Sequence, residues 1–119
     1  MEAINGCFVF AAPQTPEPIE VGPGETGGAY RVLMGMFPPG EPGPPPHTHP
    51  HTDEGFYLTE GEATFLLGDR ELTVEPGSLV VVPRGMPHTV WNSGDDAVRG
   101  LIIISPGDAD HLFVPVDAG

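Results

Sequence analysis

No stretch of this chain free of both glycine and proline is longer than seven residues. An α-helix of ordinary length needs about ten or more positions, and each interior glycine or proline costs about 1 or about 3 kcal/mol relative to alanine. Helices of usual length are therefore excluded, and an all-β fold follows nearly by elimination. The 17 glycines and 16 prolines among 119 residues would suit disorder if the intervening runs were polar. They are instead short runs rich in Val, Ile, Leu, Phe and Thr, which read as strands.

Turn signals recur every eight to twelve residues, the spacing of a sandwich or small barrel. Residues 5–11 and 30–37 are candidate strands. Gly55–Glu60 and Glu62–Leu67 flank Gly61 and read as a hairpin. Turns at 67–70, 75–77, 83–85 and 93–96 then introduce strands over Arg70–Val74, Ser78–Val82, Met86–Asn92 and Val98–Ser105. A short helical turn is compatible with 108–114. Residues 12–28 read as a surface loop. Residues 38–46, PPGEPGPPP, read as a stiff extended lead-in to the histidines that follow.

The length suits a single domain over 1–119. Cys7 is the only cysteine, so no internal disulfide forms, and its distance from the other polar clusters argues against a nucleophilic role. The opening Met-Glu-Ala-Ile-Asn lacks the basic start and apolar run of a signal peptide, and no apolar run is long enough to span a bilayer. We therefore expect a cytoplasmic protein. The net charge of −13 repels phosphate backbones and anionic lipid, which argues against nucleic acid and membrane as partners.

Three of the five histidines, His47, His49 and His51, fall at alternate positions, followed at once by Asp53 and Glu54. Residues two apart in a strand face one side, so a strand here projects several imidazoles together. Imidazole and carboxylate suit Fe, Ni, Mn, Zn, Co or Cu, and one divalent transition metal is the expected cofactor, the alternative being a solvated polar loop with chance histidines. His88 lies in a strand-like run after a Pro/Gly turn; taken alone, it is compatible with a structural role. No G-x-S-x-G elbow and no phosphate-binding glycine loop is present. His111, near the C-terminus, reads as a surface residue.

The segment His47-x-His49-x4-Glu54-x6-Gly61 resembles the first motif of the cupins. Gly77-x5-Pro83-x-Gly85-x2-His88-x3-Asn92 resembles the second at every specified position. Fifteen residues, 62–76, separate them, similar to the spacing in small microbial cupins. The resemblance implies a cupin, that is, a double-stranded β-helix or jelly-roll barrel, with motif regions of about 40–61 and 77–92. It also implies that His47, His49, Glu54 and His88 bind the metal. The sequence departs from the family pattern in two places. The family glycine six residues before the first histidine is replaced by Glu41, with Gly40 one position off. Gly43 fits only if His49 and His51 are the pair, and that register brings Glu54 too close. Pro50 removes a ladder donor and suggests a bulge, so His51 need not face the metal.

Four ligands on a six-coordinate ion leave two positions open, the mark of a catalytic rather than a structural site. Glu54 is the candidate catalytic residue, able to leave the metal and act as a base. The run Asp53–Glu62 resembles the quercetinase-like branch of small cupins, where dioxygenases are common. We therefore expect an enzyme, a metal-dependent dioxygenase acting on a small aromatic or enol-type molecule. The alternatives are a zinc-dependent cyclase, lyase or isomerase on a polyketide-like intermediate, and a non-catalytic small-molecule binder. Met34, Met36, Phe56, Phe65, Val90 and Trp91 are candidate walls of the substrate pocket. Phe56 shares the parity of Glu54, and Val90 that of His88. The resemblance also implies a homodimer.

Overall fold

The computed structural model describes residues 1–10 and 19–116. In chain order the elements are β1 (Glu2–Ile4), β2 (Cys7–Val9), β3 (Glu20–Val21), α1 (Pro23–Thr26), β4 (Arg31–Phe37), β5 (His47–Thr48) and β6 (Asp53–Glu60). They continue with β7 (Ala63–Leu67), β8 (Arg70–Val74), β9 (Leu79–Val82), β10 (His88–Trp91), β11 (Val98–Ser105) and β12 (Val114–Pro115). One five-stranded sheet has the order β3-β4-β11-β6-β9 and the other β12-β5-β10-β7-β8, while β1 and β2 pair only with each other. From β6 onward the chain passes back and forth between the two sheets. The result is the double-stranded β-helix, or jelly roll.

Several expected features take a different form. The two runs around Gly61 are not a hairpin: β6 pairs with β11 and β9, whereas β7 pairs with β10 and β8. Gly61 instead carries the chain from one sheet to the other at φ 75°, where a Cβ would overlap the Ala97 carbonyl. The candidate strand 5–11 is broken by an Asn5-Gly6 turn that joins β1 to β2, the dipeptide favoured in two-residue hairpins. Residue 11 of that strand and residues 12–18 of the proposed surface loop lie outside the described residues. The described remainder of that loop contains β3 and the single helical turn α1. Residues 108–114 hold a turn and extended chain, not a helix.

The period-two pattern sets what is buried. On β6, Glu54, Phe56 and Leu58 point inward while Tyr57 is exposed. Phe56 meets Phe65 of the opposite sheet edge to face at 5.4 Å between ring centroids. Leu58, Ala63, Val80, Val82, Val90 and Val98 complete this core, each larger side chain contributing about 1.5–3 kcal/mol by burial. The outer face of the β4-β11-β6-β9 layer is also apolar. Register places Met34, Leu101, Tyr57 and Leu79 in one outward row and Val32, Ile103, Gly55 and Val81 in the next.

Candidate metal centre

The site forms at one end of the barrel. The proline-rich lead-in is pinned to β10: Thr89 Oγ1 donates to the Pro44 carbonyl at 2.6 Å, and the Asn92 amide N–H to that of Glu41 at 2.9 Å. Gly43 allows the two backbones to approach, because a Cβ there would overlap the Val90 carbonyl. Close approach to β10 thus falls to Gly43, not to the glycine sought near position 41. The lead-in delivers His47 opposite His88, its register partner in the β5–β10 pair. Glu54 enters from β6 in the other sheet. The 83–85 turn ties the two motifs together, with the Gly85 N–H donating to the His49 carbonyl at 3.0 Å and Arg84 bound through backbone and guanidinium to the Asp53 carboxylate.

His47, His49, Glu54 and His88 are all buried and offer one ligand atom each, all within 4.8 Å of one another. Donors about 2.0–2.2 Å from a shared ion lie about 3–4.4 Å apart, so a small contraction closes the set. Each of the three imidazoles has its Nδ1 beside a backbone carbonyl: Pro45 at 2.9 Å for His47, Leu112 at 3.0 Å for His49 and Met86 at 2.8 Å for His88. A carbonyl only accepts, so each Nδ1 carries the proton and each Nε2 keeps its lone pair for a metal. The Nε2 atoms of His49 and His88 stand 3.2 and 2.9 Å from Glu54 Oε1. The donor set therefore fits a divalent transition ion. His51 is exposed and stands apart from this cluster.

The electrostatics follow from burial and mutual contact. Burial disfavours the charged Glu54 carboxylate, but His88, His49 and His111 outweigh it and hold the carboxyl below its usual range. Burial also opposes a charge on His88, yet Glu54 and the Met86 carbonyl raise its pKa above the ordinary 6.5. At His47, burial and the neighbouring His88 and His49 prevail, and the pKa is lowered.

The C-terminal segment supplies a wall that sequence reasoning missed. His111, expected at the surface, is only 24% exposed and stacks on His49 with centroids 3.7 Å apart and planes 12° from parallel. Its Nδ1 is hydrogen-bonded to Thr52 Oγ1 at 2.7 Å, and its Nε2 lies 3.6 Å from Glu54 Oε2. Burial and the nearby His49 lower its pKa. Phe113 stacks on His47 at 4.2 Å. The one sequence signal was the two-residue spacing of His111 and Phe113, which puts both on one side of an extended chain.

Among the candidate pocket residues, Phe56, Phe65 and Val90 line a small, partly open cavity of about 40 Å³ between the sheets, together with Gly35, Phe37 and Ile102. Phe56 and Val90 are the next inward residues after Glu54 and His88, so the cavity starts one step beyond the ligands, none of which lines it. Trp91 is half-buried outside this lining. Met34 and Met36 are 42% and 51% exposed on the outer face of β4, whose inward positions hold Leu33, Gly35 and Phe37. Among the described residues no helix is long and apolar enough to cross a membrane.

Comparison with known proteins agrees with this architecture. The chain is 34% identical over 95 residues to germin-like protein 9-3 of Oryza sativa subsp. japonica, covering 74% of this chain and 42% of that protein. It is 34% identical over 60 residues to the tetracenomycin polyketide synthase protein TcmJ of Streptomyces glaucescens, covering 50% of this chain and 40% of that one. The chain thus spans less than half the length of these curated relatives. Among solved structures it is similar to a conserved protein with a double-stranded β-helix domain from Klebsiella pneumoniae, with TM-score 0.68 and 21% identity over 91% of this chain and 97% of that one. It is also similar to the DMSP lyase DddQ of Ruegeria pomeroyi, with TM-score 0.63 and 28% identity over 75% of this chain and 44% of that one. Residues 33–104 match the family model of the cupin domain, a span that holds all four candidate ligands, and the chain belongs to the cupin family.

Proposed function

We propose that this cupin is a metal-dependent dioxygenase of the quercetinase-like kind, acting on a small aromatic or enol-type molecule. The observation that carries the reading is the convergence of three imidazoles, each with its Nδ1 proton held by a carbonyl, on one buried carboxylate. Such a set holds Fe, Ni or Mn and leaves adjacent positions on a six-coordinate ion. When bound, the metal supplies a redox-active Lewis acid that brings substrate oxygen and O2 together. The chain's own residues do the rest. Glu54 Oε1 lies among the imidazoles and Oε2 faces His111, so the carboxylate is placed to take a substrate hydroxyl proton. Phe113 and the apolar interior around Phe56 and Val90 limit water near the reacting centre.

The test pairs metal analysis with an oxygen-electrode trace on the iron-, nickel- and manganese-loaded protein, using a panel of catechols and enols. Oxygen uptake that depends on metal and on Glu54 supports the reading. Protein that carries only zinc as isolated, and turns over a substrate equally well without air, overturns it.

A second reading is favoured by the similarity to a polyketide synthase protein over half of this chain. On that reading His47, His49 and His88 would hold zinc, which would supply Lewis acidity toward a carbonyl of a polyketide-like intermediate, and Glu54 would move a proton in a cyclisation or isomerisation. On either reading the partner is a small molecule. The working unit is proposed to be a homodimer, which the outward apolar rows on β4, β11, β6 and β9 support.

A further inference from the structure

We infer that Arg31 anchors an anionic group on the substrate, so that the metal centre takes small organic acids in preference to their neutral analogues. The inference rests on the small-molecule reading of the site and names the chemical class of its ligand.

Three observations carry it. The first is register. Arg31 opens β4 and faces Ile104 of β11, which in turn faces Glu54 of β6. Two strand spacings, about 9.6 Å, therefore separate the backbones of Arg31 and the ligand Glu54 along one row. Arg31 shares its parity with Gly35 and Phe37, which line the interior, and its row partner Ile104 is buried. Its side chain thus leaves the backbone on the inner side, at the metal end of the barrel.

The second is pairing. Arg84 is bound to Asp53 and Arg99 to Glu60. Half-buried Arg31 makes no ion pair among the described residues, in a chain with 17 acidic side chains and 4 basic ones. An inward guanidinium without a carboxylate of its own is free to take one from a ligand, in the two-pronged geometry that arginine offers.

The third is the field. A net charge of −13 repels an approaching anion, so an acidic substrate needs a local cation at the mouth of the site. Arg31 shares its row with Glu54, whose Oε2 faces His111 of the C-terminal wall. A planar molecule that binds the metal through one end and carries a carboxylate about one ring away would reach past Ile104, the residue between Glu54 and Arg31 in the row, to the guanidinium.

The experiment uses the Co2+-loaded chain kept free of oxygen. Protocatechuate and its neutral amide are titrated while the visible cobalt bands are followed. The two compounds share the chelating diol and differ in the charge of one remote group. Wild type is expected to bind the acid about ten-fold more tightly than the amide. Arg31→Gln is expected to lose that preference at unchanged cobalt content, and Arg31→Lys to keep most of it. Arg31→Met serves as the uncharged variant if Arg31→Gln does not fold. No preference in wild type, or an unchanged preference in a cobalt-loaded uncharged variant, overturns the assignment. The readout is equilibrium binding without O2. Absence of oxygenase activity therefore leaves it standing, and loss of the acid preference leaves the dioxygenase reading standing.

Discussion

His47 and His88 face each other as register partners of the β5–β10 pair, with ring centroids 4.5 Å apart. Between them the chain makes four further strands and crosses between the sheets more than once. The candidate metal centre is therefore a product of strand register rather than of any local sequence segment. A one-residue slip of β10 would turn His88 to the opposite face of its sheet.

His88→Ala is expected to abolish tight metal binding while the protein stays folded, with affinity falling by about a hundred-fold or more. Elemental analysis after dialysis, with circular dichroism as the fold control, checks it. Full metal content in the folded variant would remove His88 from the site.

His47→Ala should weaken metal binding far more than His51→Ala. His47 is buried in the ligand cluster and His51 is exposed outside it. Competition with a chromogenic chelator should show a loss of about a hundred-fold for the first and little change for the second. The reverse ranking would make His49 and His51 the working pair.

Metal affinity should fall on acidification, starting at a higher pH than an unperturbed histidine would set. His88 has its pKa raised above 6.5, so below that raised value a proton must leave before an ion binds, costing up to about ten-fold per pH unit. In the metal-free protein the same proton is stabilising. The His88 contribution is complete below 6.5 and is lost as pH rises through the raised folded value. The Glu54 contribution is complete above 4.5 and is lost as pH falls through its lowered folded value. The stabilisation conferred by metal should therefore widen between pH 5.5 and pH 8, values chosen to bracket the histidine range of about 6.5. Thermal melts with and without a chelator read this directly.

The C-terminal wall should matter for affinity. His111→Ala removes the ring stacked on His49, and Phe113→Ala the ring stacked on His47. Each is expected to weaken metal binding by about ten-fold, the scale of outer-sphere contacts. Unchanged affinity in both would show that the segment only covers the site.

The outer apolar rows give a separate test. Leu79 and Val81 are 58% and 63% exposed on β9, so Leu79→Asp and Val81→Asp should leave folding intact. Sedimentation is expected to show a wild-type dimer and a monomeric double variant. A monomeric wild type would rule out the homodimer.

Much of this was legible in the sequence, for identifiable reasons. The candidate ligands stood out because His47, His49 and Glu54 fall close together, and because Gly77, Pro83 and Gly85 frame His88 in the resemblance to the second cupin motif. The β7–β8 hairpin was equally clear from Leu67-Gly68-Asp69-Arg70. The turn at Gly61 misled because glycine with positive φ serves a reversal within a sheet and a passage between sheets alike. Met34 and Met36 misled because β4 is apolar on both faces, so its alternation does not say which face is inside. His111 was invisible because only tertiary folding brings it onto His49, 62 positions earlier in the numbering.

The strand that carries His47 is two residues long and lies between β10 and β12. Its outer edge is completed by Val114 and Pro115, and the carbonyl that orients His49 belongs to Leu112. These residues follow every strand of the β3-β4-β11-β6-β9 sheet and all four candidate ligands in the chain. Cutting the chain before residue 111 would therefore spare that whole sheet and all four donors, yet take away the edge partner of β5 and the carbonyl that orients His49.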